Sequence, residues 1–176
     1  MVNLWHELDP GSDVPTVVNA VVESPMGTRN KYEYEKDIPG IILDRVLHSS
    51  VHYPGDYAFL PQSYYEDDDP FDILVLVENP TFPGCIIEVR PIALLNMVDD
   101  DGPDNKVIAV PDEDPRFDHV TNIADLSQPR LDEIEEFFET YKNLEENKDV
   151  KTDGYEGRQA AYDDIEHALE LYQKKC

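Results

Sequence analysis

Apolar residues recur along this chain with two different periods. Through roughly the first two-thirds they form short β-branched runs broken by Pro, Gly and Asp, the pattern of strands joined by tight turns in an antiparallel β domain. The runs are Val17 to Glu23 (VVNAVVE), KYEYEK from Lys31, IILDRVL from Ile41, DILVLVE from Asp72, CIIEVRPIALLNM from Cys85 and KVIAV from Lys106. Segments such as ENPTFPG and DDDGPDN read as turns, because Gly and Pro free or fix the backbone angles there. After Asp125 the period becomes helical: Ser127 stands as N-cap, Pro129 lies in the first turn, and Leu131, Ile134, Phe138, Tyr141 and Leu144 share one face. A second helix is expected after DGYEG, with Ala161, Ile165, Ala168, Leu169 and Tyr172 as its stripe. No internal repeat is visible. The pattern predicts an α+β, mainly β fold, a small closed barrel with two C-terminal helices packed outside, and one domain over residues 1–176.

Composition agrees with one core, since 176 residues with 40% hydrophobic content bury enough surface for a single domain. Charge changes the picture more. Thirty-nine Asp and Glu against 14 Lys and Arg leave a formal net charge of -25, which argues against nucleic acid as a partner. The acids are spread along the whole length among periodic apolar residues, so they form a surface coat and not a disordered tail. Such a coat repels itself in dilute salt and is screened within a few ångströms in concentrated salt, which predicts a protein adapted to a cation-rich, halophilic interior. Cys85 and Cys176 cannot build a disulfide framework, and no zinc-ligand spacing occurs. No signal segment and no membrane-length apolar run is seen, so the expectation is a soluble, cytoplasmic protein.

The candidate chemistry lies where charge meets core. YYEDDDPFDILVLV, Tyr64 to Val77, sets Asp67, Asp68, Asp69 and Asp72 against the head of an apolar strand. Two like charges about 4 Å apart repel by roughly 4 kcal/mol at an effective dielectric near 20, so converging aspartates either splay into solvent or bind cations. A second acidic turn, DDDGPDNK, follows another apolar strand, and neighbouring strand ends can bring the two together. Carboxylates are hard ligands that favour magnesium or manganese over zinc. Neither run fits a calcium loop: from Asp67 the required Gly position is Asp72, and from Asp99 the bidentate Glu position is Val110. In a chain so poor in base, Lys31, Arg45, Lys106 and Lys142 all lie near element ends with a tyrosine or acid close by. Cations beside a metal cluster suit a phosphoanion, whose oxygens the metals do not all reach.

These residues resemble a family. DDDPFDI, Asp67 to Ile73, is similar to the D-x-D-P-x-D signature of the soluble family I inorganic pyrophosphatases. ESPMGTRNKYEYE resembles the block that carries a metal-side glutamate, a phosphate-binding lysine and a second glutamate, here Glu23, Lys31 and Glu33. DRVLHSSVHYPGDYAFLP resembles the next block, with Arg45 on phosphate, Tyr57 in the site and Tyr53 supporting it. DDDGPDNK places ligands at Asp99 and Asp104 and a lysine at Lys106, and FFETYKNLE places Tyr141 and Lys142. The blocks occur in order over nearly the whole chain.

The resemblance implies an OB-like barrel that hydrolyses pyrophosphate to two orthophosphates with several magnesium ions per site, manganese or other divalent ions being possible substitutes. It implies metal ligation by Asp67, Asp72, Asp99, Asp104, Glu23 and Glu33, with water activated between two ions and Asp69 as general base. Lys31, Arg45, Tyr57, Lys106, Tyr141 and Lys142 would stabilise charge on the phosphates. It also implies a homo-oligomer, commonly a hexamer. Met26, Ser24, Glu136 and Thr140 depart from the family pattern, the last two at a usual subunit contact. The five histidines have no mutual ligand spacing and carry no expected role. Two other functions stay open on the sequence: a non-catalytic cation-binding OB-like barrel, and a magnesium-dependent phosphohydrolase acting on another small phosphate ester.

Overall fold

The computed structural model describes residues 2–36, 38, 40–100, 102–146 and 149–176. In order, the elements are β1 (Val18–Ser24), β2 (Asn30–Glu35), β3 (Gly40–Val46), β4 (Asp56–Phe59), β5 (Asp72–Val75), β6 (Ile86–Asp99), β7 (Gly102–Pro103), β8 (Lys106–Pro111), α1 (Gln128–Thr140), β9 (Lys151–Gly157) and α2 (Arg158–Lys175). Asp101, inside the expected DDDGPDN turn, lies outside the described residues.

Five strands close a ring in the order β1, β4, β5, β8, β6, with β6 returning to pair β1. Every pairing in the ring is antiparallel except β5 with β8, which run parallel with Ile73 opposite Val107. The parallel pair sets the N-terminal ends of both strands side by side, and these ends carry Asp72 and Lys106. The hairpin β2–β3 forms its own two-stranded sheet, and β9 and β7 add to β6.

The ring strands bury both faces, which explains why they read as continuous apolar runs and not as strict alternation. Val18, Ala20 and Val22 of β1, Ile73 and Val75 of β5, and Val107 and Ala109 of β8 join one cluster with Ala161, Ile165 and Ala168 of α2. The intervening Leu74, Ile108 and Val110 join a second with Ile134, Phe137 and Phe138 of α1. Each helix thus packs on the ring through a different set of strand residues. β6 accommodates Pro91 through a register shift against β8 between Pro91 and Ala93, where the missing N–H breaks the ladder.

One expectation needs correction. Leu144 does not extend the α1 stripe: the helix ends at Thr140 and Leu144 is 68% exposed, while Phe137 is buried in its place. The second helix begins directly after DGYEG, at Arg158, as expected, and DGYEG itself is part of β9, because the 14-residue β6 offers an edge whose backbone groups need partners. β4 had no sequence signal of its own. It begins after Gly55, where a Cβ would stand 2.6 Å from the Val75 carbonyl oxygen, so only glycine permits this approach of β4 to β5. Ser127 is the N-cap residue, but its carbonyl, not its side chain, serves the helix, accepting from Arg130 and Leu131 N–H.

Candidate active site

A cavity of about 400 Å³ opens where the hairpin β2–β3 faces the ends of β5 and β8. Strand periodicity aims the hairpin's side chains into it: Lys31 and Glu33 lie two residues apart on one face of β2, and Lys31 stands opposite Arg45 on β3. Glu23 and Ser24, at the end of β1, seat the hairpin. Glu23 Oε1 accepts from Tyr34 N–H at 2.6 Å and Ser24 Oγ from Tyr32 N–H at 2.9 Å. The serine that departs from the family pattern is therefore a buried hydrogen-bonding joint between β1 and β2.

At the floor, the parallel register brings Lys106 Nζ onto the carboxylates of Asp72 and Asp104, with Lys106 only 1% exposed. Tyr57 of β4 donates its hydroxyl to Asp72 Oδ2 at 2.6 Å. Beyond the end of α1, Lys142 Nζ lies 3.0 Å from Asp99 Oδ2 at the end of β6, beside the buried Tyr141. On the hairpin side Lys31 pairs with Glu33, and Arg45 is gripped by Glu145 at 2.8 and 3.1 Å and by Asp44. Asp69 pairs with Lys36 at the mouth, where 56% of its side chain stays exposed. Asp68 adopts a left-handed backbone, φ 65°, which Asp tolerates and which lets Asp67 and Asp69 on either side both face the cavity.

Every expected site residue except Tyr53 lines this cavity. Tyr53 is buried beneath it, ring against Tyr57 at 5.5 Å and Phe137 at 4.8 Å, which is a supporting position. Sequence reasoning missed Glu145, Asp44 and Lys36. In a chain with acids everywhere nothing local marks the one that meets Arg45, and Glu145 lies 100 residues away from it. Lys36, at the end of the predicted KYEYEK strand, was legible as a base but not as the partner of Asp69.

Among the described residues, nine carboxylates and five cations line the cavity, an excess of acidic over basic groups. Burial, and then the crowding of like charges, changes proton affinity here. Burial, and then repulsion from Asp72, pushes Glu23 up to about 8. Asp104 is pushed up to about 6, chiefly by burial, although Lys106 opposes the change. Burial, together with Asp72, also raises Asp67. Lys31 is lowered by burial and by Arg45. Each of these carboxyl shifts favours the protonated form, the form that a bound cation would displace. Among the described residues no three carboxylate, thiol or imidazole groups already converge into a metal cage, because the Lys106 ammonium lies against both Asp72 and Asp104. The donor set nonetheless fits hard divalent ions: its ionisable donors are carboxylates and phenols, with no thiol or imidazole among the described lining residues. His52 is exposed and away from the cavity.

The chain is similar to known proteins over nearly its whole length. The family model for inorganic pyrophosphatase matches residues 20–173. The chain is 62% identical to the inorganic pyrophosphatase of Haloferax volcanii over 99% of this chain and 98% of the relative. It is 61% identical to that of Halobacterium salinarum over 99% of both. The crystal structure of inorganic pyrophosphatase from Thermus thermophilus superposes with a TM-score of 0.95 at 45% identity, covering 98% of this chain and 99% of that one.

Proposed function

The chain belongs to the inorganic pyrophosphatase family and hydrolyses pyrophosphate to two orthophosphates, and on that premise we propose that the acidic cavity beneath the β2–β3 hairpin is its active site. The observation that carries this reading is the excess of carboxylates over cations in a cavity that also holds lysines and an arginine. A site for a tetra-anion needs both, carboxylates to hold metals and cations to meet the oxygens the metals leave.

Asp67, Asp72, Asp99, Asp104, Glu23 and Glu33 would hold divalent ions, with magnesium the natural choice for all-oxygen donors and manganese a substitute. Bound there, such ions lower the pKa of water and neutralise phosphate oxygens. Asp69, at the solvent-facing mouth, takes the proton from the attacking water. Lys31 and Arg45, from paired strands, reach one phosphate together. Lys106, Lys142, Tyr57 and Tyr141 stabilise charge on the other as the bridging bond breaks. Attack comes from water directly, so no side chain forms a covalent bond to phosphorus.

Residues 1–176 act as one catalytic domain, working in the cytoplasm as a homo-oligomer, with the family's hexamer the assembly to look for. Among the described residues no helix is long and apolar enough to cross a membrane. The assay is phosphate release from pyrophosphate with Mg2+ in concentrated salt, set beside ATP and a phosphomonoester. Pyrophosphate should be strongly preferred; preference for either competitor overturns the assignment.

A further inference from the structure

Parallel pairing fixes β5 to β8 from Ile73 and Val107 onward, but Asp67, Asp69 and Asp104 lie upstream, on the two turns that feed these strands. The first turn rests on α2. Tyr64 N–H donates to the Ala168 carbonyl at 3.1 Å, His167 Nε2 meets Glu66 Oε1 at 3.1 Å, and Lys175 pairs with Asp68. The last two contacts are exposed and weak in a salt-rich solvent.

Asp164 on α2 differs because it reaches both turns. Its Oδ2 accepts from the Tyr65 hydroxyl at 2.8 Å and from Asn105 Nδ2 at 3.0 Å. Tyr65 is buried with its ring stacked on Phe71, centroids 4.4 Å apart. Its backbone braces the acidic turn: Tyr65 N–H donates to the Asp69 carbonyl at 2.8 Å, and Asp68 N–H donates to the Tyr65 carbonyl at 3.1 Å. Asn105 stands between Asp104 and Lys106, and its Oδ1 accepts from Met97 N–H at 3.1 Å, which orients the amide so that Nδ2 must face Asp164.

We propose that Asp164 is a positioning residue that clasps the Asp67–Asp69 turn to the Asp104–Lys106 turn, setting the spacing of carboxylates that bind a divalent ion jointly. The role rests on the reading of the cavity as a metal site. Hydrogen bonds to an ionised carboxylate are stronger than neutral ones. Both donors converge on one oxygen, so removing it frees both turns at once. Asp164 itself is not among the residues that line the cavity.

The test is titration of the chelator-treated protein with Mn2+ alone, followed by the electron paramagnetic resonance of the free ion, in concentrated KCl. If the wild-type chain binds no Mn2+, the metal reading itself fails. If it binds, D164A should bind about tenfold more weakly, which corresponds to ~1.4 kcal/mol. D164N, which keeps an acceptor oxygen in the same place, should recover most of that loss. Tyr65→Phe should weaken binding severalfold in the wild type and hardly at all in D164A. Wild-type affinity in D164A, or equal effects of Tyr65→Phe in both backgrounds, overturns the clasp. Should D164A fail to fold, Tyr65→Phe alone decides, and unchanged affinity there is the refuting result.

Discussion

Glu23→Gln isolates the electrostatic load of the metal-free cavity. Glu23 is 9% exposed, accepts from Tyr34 N–H, and faces Asp72 with Lys31 as its nearby cation. Its carboxyl moves from 4.5 in the unfolded chain to about 8 in the fold, so the folded state binds the proton more tightly than the unfolded one. Stability linked to this group is therefore fully present below about pH 4.5 and is lost as pH rises through about 8. At 1.36 kcal/mol per pKa unit the full change is at most about 4 to 5 kcal/mol. Glutamine keeps the acceptor for Tyr34 but cannot ionise. Denaturant unfolding of the chelated protein in concentrated KCl should show the wild type losing a few kcal/mol between about pH 5 and pH 8 relative to E23Q. The two should coincide near pH 5, and Mg2+ should restore the wild type at alkaline pH. Asp104 shifts in the same direction but is present in both proteins, so it cancels from the difference. Parallel pH profiles for the two proteins would refute the reasoning.

Three further outcomes are expected. Asp69→Asn should leave circular dichroism unchanged and lower turnover about 10²–10⁴-fold, and near-normal turnover would remove Asp69 as the base. Gly55→Ala should destabilise by ~1–3 kcal/mol, measured as a lower denaturation midpoint, because its methyl would press on the Val75 carbonyl. Transfer from concentrated to millimolar salt should lower the melting temperature sharply, since a net charge of -25 then goes unscreened; an unchanged melting temperature would refute the halophilic reading.

The D-x-D-x-x-D spacing at Asp67, Asp69 and Asp72 was readable because one turn and one strand head place all three, a local property of the chain. The stripe of Leu131, Ile134, Phe138 and Tyr141 was readable for the same reason, since helical period alone puts them on one face. β9 was not, because KTDGYEG has no strand pattern and pairs only to satisfy the edge of β6. Nor was β4, four residues long and dependent on the absence of a side chain at Gly55.

By itself, then, the sequence determined the supply of carboxylates and of cations and the surplus of acid, all properties of composition and short spacing. Only the tertiary structure decided which acid meets which cation or donor: Glu145 with Arg45, Asp69 with Lys36, Asp164 with the Tyr65 hydroxyl and the Asn105 amide. In a chain with 39 acidic residues, sequence offers many equivalent partners for each cation. The register of paired strands and the docking of two helices leave one within reach.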